Sequence, residues 1–316
     1  MTTEGPADAP TSTRTMPAVR LHAPGGPAEL AVEQIEIPRP RPGEALVGVH
    51  AAAITRDELD WPIDRLPAIP SYELSGVVVA VAADVADVQV GEAVYALTGF
   101  DRDGAAAEYT VVPARILAPK PRTLGHVESA AIPLAALSAW QGLFDHGGLQ
   151  EGERVLIHGA AGGVGHFATQ LARWRGAYVI ATASGAGVDR ARELGAHEVL
   201  DRATTRFDET VEPVDLVFDT VGGDTLARSA AVLHEGGRLV SVAEEPPATV
   251  SETVTATYFV VEPSREQLVE LATLVDGGRL RPAIDSVFPL ADARAAFERS
   301  MASGKRGKVV LRVTHD

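Results

Sequence analysis

The stretch His158–Ala172, HGAAGGVGHFATQLA, crowds glycines at 159, 162, 163 and 165 and then continues as a helix-forming run. An apolar strand, RVLIH, precedes it, and a second one, AYVIATAS, follows the helix. Strand, glycine turn, helix and strand, in that order, make up the unit that binds a dinucleotide. Aligned with G-x-G-x-x-G, the turn reads Ala160, Ala161, Gly162, Gly163, Val164, Gly165, with alanine in the first place. Gly162 lets the backbone approach a pyrophosphate, and Gly165 lets the helix lie close on its strand. The helix N-terminus adds free N–H groups and a positive dipole end. A purely structural turn is the other reading of these glycines. The strand at the right distance behind them favours the nucleotide.

The tip of that second strand selects the dinucleotide. NAD sites usually place Asp or Glu there to bond the ribose hydroxyls. This chain has Ser184, and no acid follows before Asp189. A carboxylate repels a 2′-phosphate, whereas a small hydroxyl tolerates it. Arg190 and Arg192 follow on the next helix, and Arg202 follows the next strand. The planar fork of arginine suits phosphate. Arg192 reads as a solvated helix charge, while Arg190 and Arg202 are candidates for the phosphate. NADPH is therefore expected over NADH.

Outward from the turn, strands and helices alternate over residues 154 to 243, which predicts a doubly wound parallel sheet and an α/β fold class. Within this region TLARSAAVLHEGG is expected as one helix and RLVSVA as the strand after it. Residues 16 to about 121 read instead as short strands punctuated by Pro and Gly, suited to a mostly antiparallel, barrel-like domain. Between the two lies an apolar-faced helical segment interrupted near Pro133. Near the end, SREQLVELATLVDGG reads as a helix closing on paired glycines, and a last helix and strand are placed to return to the first domain.

The 316 residues allow two domains. With 28 Lys and Arg against 43 Asp and Glu, the net charge of −15 argues against nucleic-acid or anionic-membrane partners. No apolar run approaches the roughly 20 residues of a bilayer span. Residues 1–15 lack a signal-peptide pattern and are expected to be a disordered tail. A cytoplasmic protein is expected. There are no cysteines, so disulfides, thiolate zinc sites and iron–sulfur clusters are excluded. The nine histidines show no HExxH pattern.

With these residues in view, the chain resembles the medium-chain dehydrogenase/reductase superfamily, in particular its zinc-free, zeta-crystallin-like quinone oxidoreductases. HGAAGGVGHFATQLA, ELGAHEVLD, DLVFDTVGGDTL, EGGRLVSVA and GKRGKVVL carry the resemblance, which spans the chain from residue 16 onward. It implies a GroES-like, mostly β substrate domain over 16–125 and 263–316, and a Rossmann domain over 126–262. It also implies a nicotinamide in the cleft between them, and a homodimer joined through the ATYFVV sheet edge.

Relatives that are alcohol dehydrogenases hold a catalytic zinc through Cys, His and Cys. Matching their motifs places Thr55, Tyr72 and Leu134 at those positions, and the cysteine-rich structural loop is absent, so no metal is expected. Thr55, where zinc-free relatives commonly have Asn, and Tyr72 are then the expected hydrogen-bond donors to the substrate; a core tyrosine is the alternative for Tyr72. Glu58 and Glu73 match acidic positions near the cleft, as catalytic groups or as braces. Trp61 and Trp140 are expected either to wall the substrate pocket or to pack in the core.

Ser138 is expected near the nicotinamide, Val221 and Gly222 beside the adenosine and ribose, and Val242 and Ala243 near the nicotinamide ribose. Lys305 and Arg306 are expected to reach a phosphate from the other domain, or to lie in solvent. The implied function is NADPH-dependent reduction of quinones or conjugated carbonyls. An enoyl reductase of natural-product or lipid metabolism and a non-catalytic NADPH-binding protein are the alternatives.

Overall fold

The computed structural model describes residues 14–61, 65–247 and 253–313. Most of the expected N-terminal tail, residues 1–13, lies outside them. The first described strand, β1 (Thr15–Leu21), takes in Thr15, the last residue of the expected tail; it buries Met16, Ala18, Val19 and Leu21 and pairs antiparallel with β2 (Leu30–Glu36). In β3 (Glu44–Ile54) buried residues alternate as far as His50, and then Ala51–Ile54 are buried without a break. Bulges opposite β4 (Glu73–Val81) accompany that change. β3 also pairs with β6 (Tyr109–Pro113), and β4 with β5 (Ala93–Leu97), which reaches the short β7 (Ala118–Pro119).

The apolar segment that follows forms α1 (His126–Ala130) and α2 (Pro133–Trp140). The interruption falls just before Pro133, as expected, and Pro133 opens α2, because the first helical residue needs no N–H donor. A π-helical turn, Gln141–His146, continues α2.

The glycine turn joins β8 (Arg154–His158) to α3 (Gly165–Trp174), and β9 (Tyr178–Ala183) follows. α3 buries Phe167 and Leu171 completely, and each such side chain contributes about 1.5–3 kcal/mol. After α4 (Gly187–Glu193) and β10 (Glu198–Asp201) come the single-turn α5 (Phe207–Thr210) and β11 (Val214–Asp219). α6 (Gly223–Ser229) ends earlier than expected, because β12 (Leu233–Ser241) already begins at Leu233. Leu233 pairs with Val214, and the register then slips so that Arg238 faces Leu216. Gly236 has φ +81 within the slip, and glycines there disfavour the helix that was expected.

With β13 (Thr255–Tyr258), the described strands form a parallel sheet in the order β10-β9-β8-β11-β12-β13. The chain leaves β8 to one side and returns to β11 on the other. The crevice at the carboxyl ends of such strands is where an open α/β sheet takes its ligand. β13, from the ATYFVV segment, is the sheet's edge, as expected.

α7 (Arg265–Asp276) is capped by the Ser264 side chain and ends at Gly277 and Gly278. It buries Leu268 and Leu271 in a core shared with Tyr95 and Leu97 of the first sheet and Phe167 of α3. The Tyr95 hydroxyl donates to the Leu268 carbonyl at 2.5 Å, so this helix ties the sheets together. β14 (Ile284–Pro289) and α8 (Ala293–Met301) follow. Finally β15 (Lys308–Arg312) pairs parallel with β14 and antiparallel with β3. The chain's end thus completes the sheet that its beginning started. Among the described residues no helix is long and apolar enough to cross a membrane.

A Cβ on Gly165 would stand 2.1 Å from the Gly159 carbonyl oxygen, whereas one on Gly163 meets nothing closer than 3.7 Å. Gly165→Ala must push α3 off β8 and should cost about 1–3 kcal/mol, with a lowered melting temperature. Gly163→Ala should melt close to the parent. Equal melting temperatures in the two variants would contradict the close approach.

Candidate active site

The turn after β8 is held from within and left open toward the crevice. Gly159 has φ +70, and its carbonyl accepts from the Gly162 N–H at 2.8 Å. Among the described residues, the N–H groups of Ala161, Gly163, Val164 and Gly165 find no acceptor. Unpaired donors at the start of a helix fit a pyrophosphate. His166 secures the turn from behind. Its Nδ1 donates to the Gly162 carbonyl at 3.0 Å, and its Nε2 accepts the Ala283 N–H at 3.3 Å. A carbonyl only accepts and an amide N–H only donates, so these partners dictate the tautomer. Burial holds the ring neutral by pushing its pKa down to about 4. The glycine turn is thereby fastened to the segment leading into β14.

Ser184 stands exposed just beyond β9, and Arg202 N–H donates to the Ala183 carbonyl at 2.9 Å. Among the described residues the Arg202 guanidinium has no acidic partner, while Arg190 pairs with Glu193 at 3.4 Å and Arg192 with Asp189 at 2.7 Å. α4 begins beside the turn, since a Cβ on Gly187 would lie 3.1 Å from the Ala161 methyl. Asp219, at the end of β11, accepts from Val221 N, Gly222 N and Ser241 Oγ at 2.9–3.2 Å. Burial raises its pKa against those donors. Val242 N–H in turn donates to the Asp219 carbonyl, and Ala243 N–H to Ser241 Oγ. One carboxylate therefore shapes both loops that carry Val221, Gly222, Val242 and Ala243.

The first sheet brings Thr55, Tyr72 and Leu134 together through two buried carboxyl groups. Glu58 accepts from Thr55 N at 3.2 Å with one oxygen and from Ser71 N at 3.1 Å with the other. Burial pushes its pKa up to about 8, and the Glu73 charge adds to that while the Thr55 N–H and the Lys308 charge oppose it. Glu73 accepts from Leu134 N at 3.0 Å and forms an ion pair with Lys308. Lys308 also donates to Thr55 Oγ1 at 3.2 Å, and its Cδ lies 3.7 Å from where a Gly163 Cβ would stand. This cluster therefore adjoins the glycine turn.

Ser71 has φ +66, a conformation rare outside glycine. Its N–H is held by Glu58 and its carbonyl accepts from Ala105 N at 2.6 Å. That bend aims Tyr72 between Trp61 and Phe100, with ring centroids 5.8 and 5.2 Å away. Burial and the Glu58 charge raise the Tyr72 pKa, while Arg65, close to the phenol, opposes them. Tyr72 stays a protonated donor at neutral pH.

Several expected residues sit elsewhere or act otherwise. Glu58 is buried and spent on two backbone N–H groups, so it braces the site rather than lining a substrate pocket. Trp61 does flank Tyr72. Trp140 does not: it packs on Phe144 and on Trp174, at the far end of α3 from the glycine turn, about 15 Å along that helix. Ser138 donates to the Leu134 carbonyl of its own helix at 2.8 Å. Lys305 turns back to the Ser300 carbonyl, and Arg306 is exposed, its N–H bonded to Asp285. Lys308, His166, Arg65 and Phe100 were not read from the sequence as site residues. A lysine inside the apolar run KVVL was the one available signal.

Two family models match the chain: the alcohol dehydrogenase GroES-like domain over residues 41–122, and the zinc-binding dehydrogenase family over 194–311. A probable zinc-binding oxidoreductase of Arthroderma benhamiae mitochondria is 33% identical, covering 87% of this chain and 91% of its own. An NADPH-dependent alkenal/one oxidoreductase of Arabidopsis thaliana chloroplasts is 31% identical, covering 91% and 77% respectively. The solved quinone oxidoreductase of Coxiella burnetii superposes with a TM-score of 0.88 at 31% identity, covering 95% of this chain and all of that one.

The Glu58 carboxyl holds its proton more tightly folded, with a pKa of about 8, than at its ordinary value of 4.5. Its contribution to stability is present below the ordinary value and is lost as pH rises to about 8. Glu58→Gln removes that loss. Its melting temperature should rise relative to the parent as the buffer goes from about pH 5 to 8, and a difference independent of pH would refute this.

Proposed function

The chain belongs to the quinone oxidoreductase branch of the medium-chain dehydrogenase/reductase superfamily, and from that footing we propose that it reduces quinones or related conjugated carbonyls with NADPH and without a bound metal. The observation that carries this reading is the side-chain set around Lys308, whose Cδ adjoins the glycine turn, with Tyr72 buried among its aromatic neighbours. The family resemblance matches Thr55, Tyr72 and Leu134 to the ligand positions of zinc-dependent relatives, and the two nearby carboxyl groups are already committed to the backbone and to Lys308. Such a set donates hydrogen bonds but offers a metal little. Acceptors that spread negative charge over their own π-system need only those bonds.

The free N–H groups at Ala161, Gly163, Val164 and Gly165 would hold the pyrophosphate, and Ser184 with Arg202 the 2′-phosphate. Bound there, NADPH supplies a hydride, and the acceptor takes one proton from water to leave as a hydroquinone, or as the saturated carbonyl from an enone. Thr55 and Tyr72 donate to the acceptor oxygen as its charge grows. Trp61 and Phe100 keep Tyr72 in place and offer flat faces to an aromatic acceptor. The name of the Arabidopsis relative favours enones as the second substrate class.

We place the protein in the cytoplasm, in keeping with a chain that lacks cysteine. It acts there as a homodimer joined along β13, where Tyr258 and Val260 are exposed.

Stopped-flow oxidation of NADPH and of NADH against quinone and enone panels tests the proposal. Turnover should be rapid with NADPH and an ortho-quinone and slow with NADH. Ser184→Asp should raise KM for NADPH at least about tenfold while sparing NADH. Turnover confined to enones would move the assignment to an enone reductase. Tight NADPH binding with no turnover on any acceptor would overturn it.

A further inference from the structure

Lys308 opens a strand whose next three residues, Val309, Val310 and Leu311, are core. Its own side chain is 5% exposed, and a charge so placed persists only when paired. Gly307, at φ +105, brings it there. A Cβ on Gly307 would collide with the Ala283 carbonyl at 2.1 Å, and the same carbonyl accepts the Lys308 N–H at 2.8 Å. Glu73, wholly buried, neutralises the charge. The ammonium has a further proton to give, and Thr55 Oγ1 takes it at 3.2 Å.

The direction of that last bond is forced. An ammonium donates and never accepts, whereas a hydroxyl has one proton and two lone pairs. Thr55 Oγ1 therefore accepts from Lys308, and its own proton is left for another partner. Among the described residues no acceptor takes it, and Thr55 is only half-buried, while the Lys308 side chain that bonds it adjoins the glycine turn. We propose that Lys308 is a positioning residue of the reductive site: from behind Thr55 it fixes the hydroxyl as a donor toward the substrate's acceptor oxygen and adds the field of its charge to that bond.

This rests on the reading above that Thr55 faces the acceptor. Neither group gives up its proton. The acceptor gains a hydride from NADPH and a proton from water, and Lys308 and Thr55 only stabilise the oxygen charge in between. A preorganised donor of this kind is worth about 10²–10³ in kcat.

The test uses the full-length protein with NADPH and 9,10-phenanthrenequinone. Lys308→Met alone strands a buried carboxylate, so it is paired with Glu73→Gln, and melting temperature reports folding. The pair should lower kcat about 10²-fold with little change in KM for NADPH. Lys308→Arg, which keeps a charged donor, should recover much of the loss. In a Thr55→Val background the same pair should cost little more, because the two residues act through one bond. Infrared difference spectra of the quinone bound to the NADP+-loaded protein give a readout independent of turnover. The carbonyl band should sit lower in the parent than in either the Lys308 pair or Thr55→Val. A folded Lys308 pair with kcat within twofold of the parent, or an undiminished loss in the Thr55→Val background, overturns the inference. A parent protein that turns over no quinone or enone overturns the functional reading and this inference with it.

Discussion

The Lys308–Glu73 ion pair is the constraint on which the rest of the site hangs. Burying two charges costs free energy that their attraction only partly offsets, and removing one partner typically costs about 3–5 kcal/mol. Such a pair is poor evidence of stability but a strong reason for a single register. Glu73 begins β4, Lys308 begins β15, and between them runs the end of β3, with Thr55 next after its last residue, Ile54. The second oxygen of Glu73 accepts from Leu134 N in the first turn of α2. One carboxylate thus binds the first sheet, the last strand and the helix that leads to the second sheet. A slip of β15 by one residue would turn Lys308 outward and bury Val309's neighbours wrongly.

The second sheet is keyed to the same place by neutral contacts. His166 joins the glycine turn to Ala283, and the Ala283 carbonyl receives Lys308 N–H. The unpaired N–H groups of the glycine turn and the Thr55 hydroxyl are therefore set by one short chain of bonds rather than by separate loops. Preorganisation of this sort matters for the proposed reduction, because its donors must already point at the charge when it develops. The bent backbone at Ser71 serves the same end: Glu58 and Ala105 hold an unfavourable φ so that Tyr72 lies between two aromatic rings.

Much of this was legible in the residues. The glycine turn and its flanking strands announced the parallel sheet, because period and turn chemistry are local properties, whereas the ATYFVV edge came from the family resemblance. The helical reading of TLARSAAVLHEGG holds through a 3-10 turn at Ala230–Val232 and gives way to strand at Leu233, because apolar residues there suit either state. Pairing of Leu233 with Val214, a contact between distant residues, decided it. Of the two readings of Trp140, pocket wall and packing, the face of the helix decided for packing. Seven residues into α2, it points to the α3 flank rather than toward Tyr72.

What the sequence by itself determined is the alternation of strands and helices, the glycine turn that opens it and the absence of thiol ligands, all of which follow from residue type and short spacing. What only the tertiary structure decided is which groups stand behind the donors. Lys308 and Thr55 are 253 residues apart, and a lysine in a strand reads as exposed until the strand is paired on both sides. Burial, and the forced direction of a hydrogen bond from an ammonium to a hydroxyl, arise only when the chain's end folds back onto its beginning.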